Sequence, residues 1–181
     1  MLLDPVAGAL IVAAFALLFA SAAVQKLRDL GRFAEVFTAY AVLPPVFGPG
    51  LAWAIPVLEL AVALGLLSNR IRPYASGIGM LLLLTYAAAM AVNLRRGRRD
   101  IACGCGGADD RRPIAAWMAW RNLALAALLG LAARPWNART LAPTDALTIG
   151  FALAVTVVVY LCLDRLAQVA RKARQLQGLQ P

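Results

Sequence analysis

The stretch Tyr74-Ala-Ser-Gly-Ile-Gly-Met80-Leu-Leu-Leu-Leu-Thr85-Tyr-Ala-Ala-Ala-Met90-Ala-Val-Asn93-Leu94 decides the class of fold. It carries no charged residue and stops abruptly at Arg95-Arg96-Gly97-Arg98-Arg99. A helix needs about 20 mostly apolar residues to cross the hydrocarbon core of a bilayer, so this segment reads as a membrane span. Working outward, four further stretches have a similar character, at 6–24, 51–67, 114–133 and 146–163. The expected architecture is therefore an all-α, polytopic bundle of transmembrane helices. Its core is a four-helix domain over 1–133, followed by a loop and fifth span over 134–163 and a basic, amphipathic tail over 164–181.

Composition agrees with this reading. Hydrophobic residues make up 62% of the 181 positions and charged residues 15%, and the mean hydropathy is +0.73. Soluble domains average roughly 45–50% apolar residues, and a soluble chain of this length has no place to hide the excess. The net charge of +9 does not point to nucleic acid, because the basic residues lie between the apolar blocks and in the tail. That placement suits lipid head groups instead.

The ends of the spans carry further signals. Phe33, Val36, Phe37 and Tyr40 fall at helical spacing, as expected for a helix along the interface, before Leu43-Pro44-Pro45 breaks it. Pro56 is expected in the first turns of the second span, where a neighbour compensates the lost hydrogen bond. Ala20-Ser21-Ala22-Ala23 has the small residues of a signal-peptidase site, yet Asp4 precedes it and no Lys or Arg does. Without a basic n-region a retained first helix is expected. Cleavage would leave four spans.

Charge orients the bundle. One side receives Lys26, Arg28 and Arg32, the arginines between 95 and 112, and Arg165, Arg171, Lys172 and Arg174, while the other receives Arg70, Arg72, Arg134 and Arg139. The positive-inside rule then places the N-terminus outside, and the C-terminus and the 103–105 loop in the cytoplasm.

Chemistry concentrates in Cys103-Gly104-Cys105. Two thiols separated by one glycine can close a strained, easily reduced disulfide suited to exchange. Arginines upstream would favour the thiolate and its reactivity. The plainer alternatives are a glycine turn with two incidental thiols, or part of a metal site, for which two sulfur ligands are too few. The chain has no histidine, which removes histidine metal ligands, bases and haem ligation. No metal and no cofactor is expected. Cys162 would fall at the cytoplasmic end of the fifth span, either as a resolving thiol or as a small apolar filler.

A second constellation lies within the spans. Glu59 and Arg121, each counted near mid-bilayer, are expected to pair, with Lys26 as the other possible partner of Glu59 and Asn122 beside Arg121. Such a pair either fixes helix packing or forms a proton, solute or quinone site. Asn93, Asn122 and Thr85 are candidates for hydrogen bonds between helices.

These residues occur in a recognisable order. Lys26-Leu-Arg-Asp, Phe33, Tyr40 and Leu43-Pro44 are followed by Pro56-Val-Leu-Glu59-Leu, then Asn93-Leu-Arg-Arg-Gly-Arg98 and Cys103-Gly-Cys105, then Trp117 or Trp120 with Arg121-Asn122-Leu123. From about residue 7 to 133 the chain resembles the methylamine utilisation protein MauE family, within the wider DoxX-like group of small membrane proteins. The resemblance implies residence in a bacterial inner membrane and a part in producing periplasmic methylamine dehydrogenase, whose small subunit is rich in disulfides. It also implies a thioredoxin-like, MauD-like partner, and thiol–disulfide exchange carried by Cys103 and Cys105 as a relay rather than a stand-alone enzyme. Gly106 stands where the family usually has an aromatic residue, and the fifth span and tail lie outside the family core. A solute- or quinone-binding bundle and a non-catalytic scaffold are the competing functions. A cytoplasmic loop serving an exported client requires a re-entrant loop or a further carrier, and the remaining alternative is the opposite orientation of the bundle.

Overall fold

The computed structural model describes residues 4–42, 44, 48–104, 113–134 and 142–177. Among these residues the secondary structure is six helices: α1 (Pro5–Arg28), α2 (Leu30–Ala39), α3 (Gly48–Leu67), α4 (Arg72–Arg95), α5 (Ala116–Ala132) and α6 (Pro143–Gln177). The chain forms two compact units, Met1–Asn137 and Ala138–Pro181.

Three helices are long and apolar enough to cross a membrane: α1, the Gly50–Leu67 part of α3, and α4. The helix α5 is apolar and has 17 residues, about 25 Å at 1.5 Å per residue. In the first unit α1 packs on α3, α3 on α4, α4 on α5, and α5 back on α1. Four helices thus close a ring around one core, in which Val12, Phe15 and Phe19 meet Val62, Leu66, Leu83 and Leu129. Close approach is built in at Gly79, where an added Cβ would come within 2.8 Å of Leu129 and 3.1 Å of Phe19 and Val62. Large apolar side chains such as Leu64, Leu67 and Leu81 face outward, which suits lipid rather than water. Trp53, Trp117 and Trp120 are exposed near the ends of α3 and α5 that adjoin the cysteine loop, the position of an interfacial aromatic belt.

Local signals explain the helix ends. Asp4 caps α1, its Oδ1 accepting from the Val6 N–H at 2.9 Å, with Pro5 in the first turn. Asp29 does the same for α2, accepting from the Arg32 N–H at 3.1 Å. The end of α4 is a Schellman motif: the Arg98 N–H donates to Asn93 O at 3.0 Å and the Gly97 N–H to Leu94 O at 3.1 Å. Gly97 sits at φ +73°, the left-handed conformation that this motif demands of its glycine.

One local expectation is corrected. The helix α3 starts at Gly48, so Pro56 lies in its interior rather than its first turns. Pro56 is fully buried, and its missing N–H leaves the carbonyl of Ala52 without its usual intrahelical donor. The fifth apolar stretch continues into the basic tail as one helix, α6, which runs unbroken to Gln177. No Gly or Pro interrupts 151–177, and the Leu, Ala, Gln, Arg and Lys that fill the tail are strong helix formers.

Candidate functional site

Cys103 lies in the connection between α4 and α5, at the end of the bundle that also holds α2. Its side chain is buried, 7% exposed, in a small cluster with Met90, Ile114 and Met118, onto which Tyr40, Tyr86, Leu94 and Ala119 pack. The connection is pinned at its base by a bridge between Ala102 and Pro113, with the Ile114 N–H donating to Ile101 O at 3.0 Å. Gly104 follows at φ +69°, and a Cβ there would meet Val36 Cγ1 at 2.9 Å. The glycine between the two cysteines is therefore required twice, by its backbone angle and by the close approach of α2. Cys105, Arg111 and Arg112 lie outside the described residues.

The helix α2 packs beside Cys103 and Gly104. It ends at Tyr40 and Ala41 without a glycine or asparagine, and Ala41 itself adopts φ +45°. The backbone N–H groups of Tyr40 and Ala41 take the carbonyls of 36–38, and the next three carbonyls, of 39–41, are taken by side chains from the end of α4. Arg98 Nη2 donates to Ala39 O at 2.9 Å, Asn93 Nδ2 to Tyr40 O at 3.0 Å, and Arg96 Nη1 to Ala41 O at 3.1 Å. Asn93 is fully buried. It also donates to Ala89 O, and its Oδ1 accepts from Arg98 Nη1. The Tyr40 hydroxyl returns the link by donating to Cys103 O at 3.3 Å. A cleft of about 610 Å³ runs beside this seam, lined by Glu35, Val36 and Ala39 of α2 and by Arg98, Asp100 and Ala102. Two of the arginines read as thiolate-activating charge therefore act as caps for α2.

A second polar cluster lies inside the bundle. Lys26 Nζ donates to Glu59 Oε1, and the Tyr86 hydroxyl donates to the same oxygen at 2.7 Å. Lys26 and Glu59 are 8% and 1% exposed. The ammonium also lies 5.1 Å from the Tyr86 ring centroid and 5.4 Å from that of Phe33, within cation–π range. Glu59 Oε2 is buried without a hydrogen-bond partner.

The expected Glu59–Arg121 pair is therefore corrected to Lys26–Glu59. The reason is the lean of helical side chains toward the helix N-terminus. Lys26, near the C-terminal end of α1, leans into the bundle. Glu59, on the oppositely directed α3, leans toward it. Arg121 leans away, toward the start of α5, and its guanidinium stands 5.4 Å from the Trp117 ring centroid. Asn122 is buried and aims its amide at Met90 Sδ, 4.0 Å away. Asn93 makes the expected contact with another segment, whereas Thr85 donates within its own helix, to Leu81 O at 2.8 Å. Sequence reading missed Tyr86, although a tyrosine midway along an apolar helix needs a polar partner.

Among the described residues no group of three or more His, Cys, Asp or Glu side chains is placed to hold a metal ion. Cys162 is exposed on α6, in the second unit.

Fold and site together define a class: an all-helical membrane protein whose inter-helix loop docks a cysteine against one end of the bundle. The family model for methylamine utilisation protein MauE matches residues 4–136. The chain belongs to this family. It is 41% identical over 113 residues to the methylamine utilization protein MauE of Paracoccus denitrificans, a match covering 62% of this chain and 61% of that protein. Against the proteins of the same name from Methylophilus methylotrophus and Methylorubrum extorquens it is 34% identical over 155 residues. Those matches cover 82% and 85% of this chain, and 80% and 83% of the relatives. In the Paracoccus match the chain thus spans less than two thirds of its relative's length. No solved structure matches the chain at a significant level.

Proposed function

We propose that this chain is an accessory protein of methylamine utilisation in a bacterial inner membrane, and that Cys103 and Cys105 exchange disulfides with a thioredoxin-like partner. The exchange supports maturation of an exported, disulfide-containing client of the methylamine dehydrogenase kind. Each round is a pair of thiolate attacks. A partner thiolate attacks the Cys103–Cys105 disulfide and forms a mixed disulfide, and the displaced sulfur takes up a proton. The partner's second thiolate then resolves the mixed bond, so the pair gains the two electrons that the partner loses.

The observation that carries the reading is the glycine between the thiols, held at φ +69° in a loop docked on the bundle. Membership of the MauE family supports the physiological setting. In this account α1, α3, α4, α5 and the apolar part of α6 are the five spans. The loop end, with Lys26, Arg28, Arg32 and the 95–99 arginines, faces the cytoplasm, and a further carrier completes the path to the client. Replacing the gene with Cys103→Ser or Cys105→Ser is expected to abolish growth on methylamine and disulfide formation in the client, while Cys162→Ser retains both. A fully active double serine variant refutes the relay.

The unpartnered Glu59 Oε2 favours a second reading, in which the bundle binds a small solute or quinone at Glu59. There Glu59→Gln removes ligand binding from a folded protein, and the cysteines are dispensable.

A further inference from the structure

We infer that α2 is a retractable cover on Cys103, and that Arg96 and Arg98 set how often it lifts. The inference rests on the thiol reading of the site. Thiol–disulfide exchange requires an incoming sulfur to reach Cys103 Sγ, and that side chain is buried among Met90, Ile114 and Met118, with Tyr40 at the end of α2 closing over the cluster and Val36 against Gly104. Something must move before exchange begins, and α2 is the element built to do so.

No residue of α2 is buried, so packing holds it weakly. Beside the loop the seam is an open cleft rather than interdigitated side chains. Besides the Tyr40 ring on the apolar cluster, the C-terminal end of α2 is fastened by polar ties: the Arg98, Asn93 and Arg96 bonds to the carbonyls of 39, 40 and 41, and the Tyr40 hydroxyl on Cys103 O. Three of these four ties come from one short segment, 93–98, which also leads into the cysteine loop. Releasing them frees the helix end and uncovers the thiol in a single event. The two arginines are exposed, so water solvates both the guanidinium groups and the carbonyls once they part. Opening is therefore affordable, whereas parting from the buried Asn93 is resisted. At the other end α2 joins α1 through Asp29 alone, which caps α2 from φ −142° and ψ 71° and gives the motion its hinge.

The test uses the full chain in detergent with Cys105→Ser and Cys162→Ser, leaving Cys103 as the reporter thiol, and follows its alkylation by a maleimide without any redox partner. The cover predicts slow alkylation in this background. It also predicts an increase of about tenfold in Arg96→Ala/Arg98→Ala, the factor that corresponds to about 1.4 kcal/mol of lost hydrogen bonding. Arg95→Ala/Arg99→Ala removes the same two charges from exposed positions flanking the clamp and is expected to leave the rate unchanged within about twofold. If the arginines act instead by stabilising the thiolate, the double variant slows alkylation, and the sign alone overturns the cover. An unchanged rate overturns it as well, as does a background rate equal to that of a free thiol in solution. A helical melt at the native temperature for both variants shows that the tenfold rise comes from α2 and not from loss of the bundle. Because no partner is present, failure here leaves the relay standing, and failure of the relay in cells leaves the cover standing.

Discussion

Replacing Lys26 with methionine removes the ammonium that Glu59 Oε1 accepts from and leaves a carboxylate that is 1% exposed. Methionine keeps most of the lysine stem, so the change is electrostatic rather than a cavity. The Tyr86 hydroxyl remains on Oε1 at 2.7 Å, but Oε2 already lacks a partner, so the acid retains one hydrogen bond. Removing one member of a buried pair costs about 3–5 kcal/mol, whereas replacing both with apolar residues of similar volume is close to neutral. Lys26→Met is thus expected to destabilise by about 3 kcal/mol, and Lys26→Met/Glu59→Leu to recover most of that loss. The difference is a coupling energy, read from a double-mutant cycle in reversible detergent unfolding followed by circular dichroism. Arg121→Met serves as the comparison, since Arg121 stands over Trp117 and not at Glu59. A Lys26→Met cost below about 1 kcal/mol, or a coupling of Arg121 to Glu59 as large as that of Lys26, refutes the assignment.

Three further outcomes are expected. Tyr86→Phe keeps the ring over Lys26 and removes the bond to Glu59, and should cost about 1–2 kcal/mol in the same unfolding assay. Gly79→Ala forces a Cβ against Leu129, Phe19 and Val62 and should cost about 1–3 kcal/mol through overpacking. Gly77→Ala points into open space and should be neutral or stabilise by up to about 1 kcal/mol. Gly97→Ala, at φ +73°, should destabilise the end of α4 by about 1 kcal/mol, and hydrogen exchange should show faster opening at 94–98 than in the native chain.

Apolar runs made the helices of the first unit legible in the sequence, because a run of that length has few other uses. That α2 is a helix was legible from a different signal, the recurrence of Phe33, Val36 and Phe37 at helical spacing. The ion pair was read with the wrong partner because depth was counted at Cα positions. Lys26 and Glu59 meet only through the opposite lean of their side chains on oppositely directed helices. Arg96 and Arg98 were read as charge near a thiol, and their role as caps was hidden because it depends on where α2 ends in space. One clue was present: no Gly or Asn follows α2, and past the Tyr40 and Ala41 N–H groups the chain offers no nearby donor for the carbonyls of 39–41. The buried state of Cys103 has no sequence signal, because it follows from the chain after α4 folding back onto Met90 of α4 and Met118 of α5.

The redox state of the Cys103 and Cys105 thiols in cells tests the central claim most directly. Acid quenching followed by alkylation before and after reduction, read by mass spectrometry, reports whether the two sulfurs form one reducible pair. The account predicts a mixture of disulfide and dithiol in growing cells that shifts toward one form when the thioredoxin-like partner is deleted. Two thiols that both remain alkylatable under oxidising conditions, with or without that partner, would contradict it.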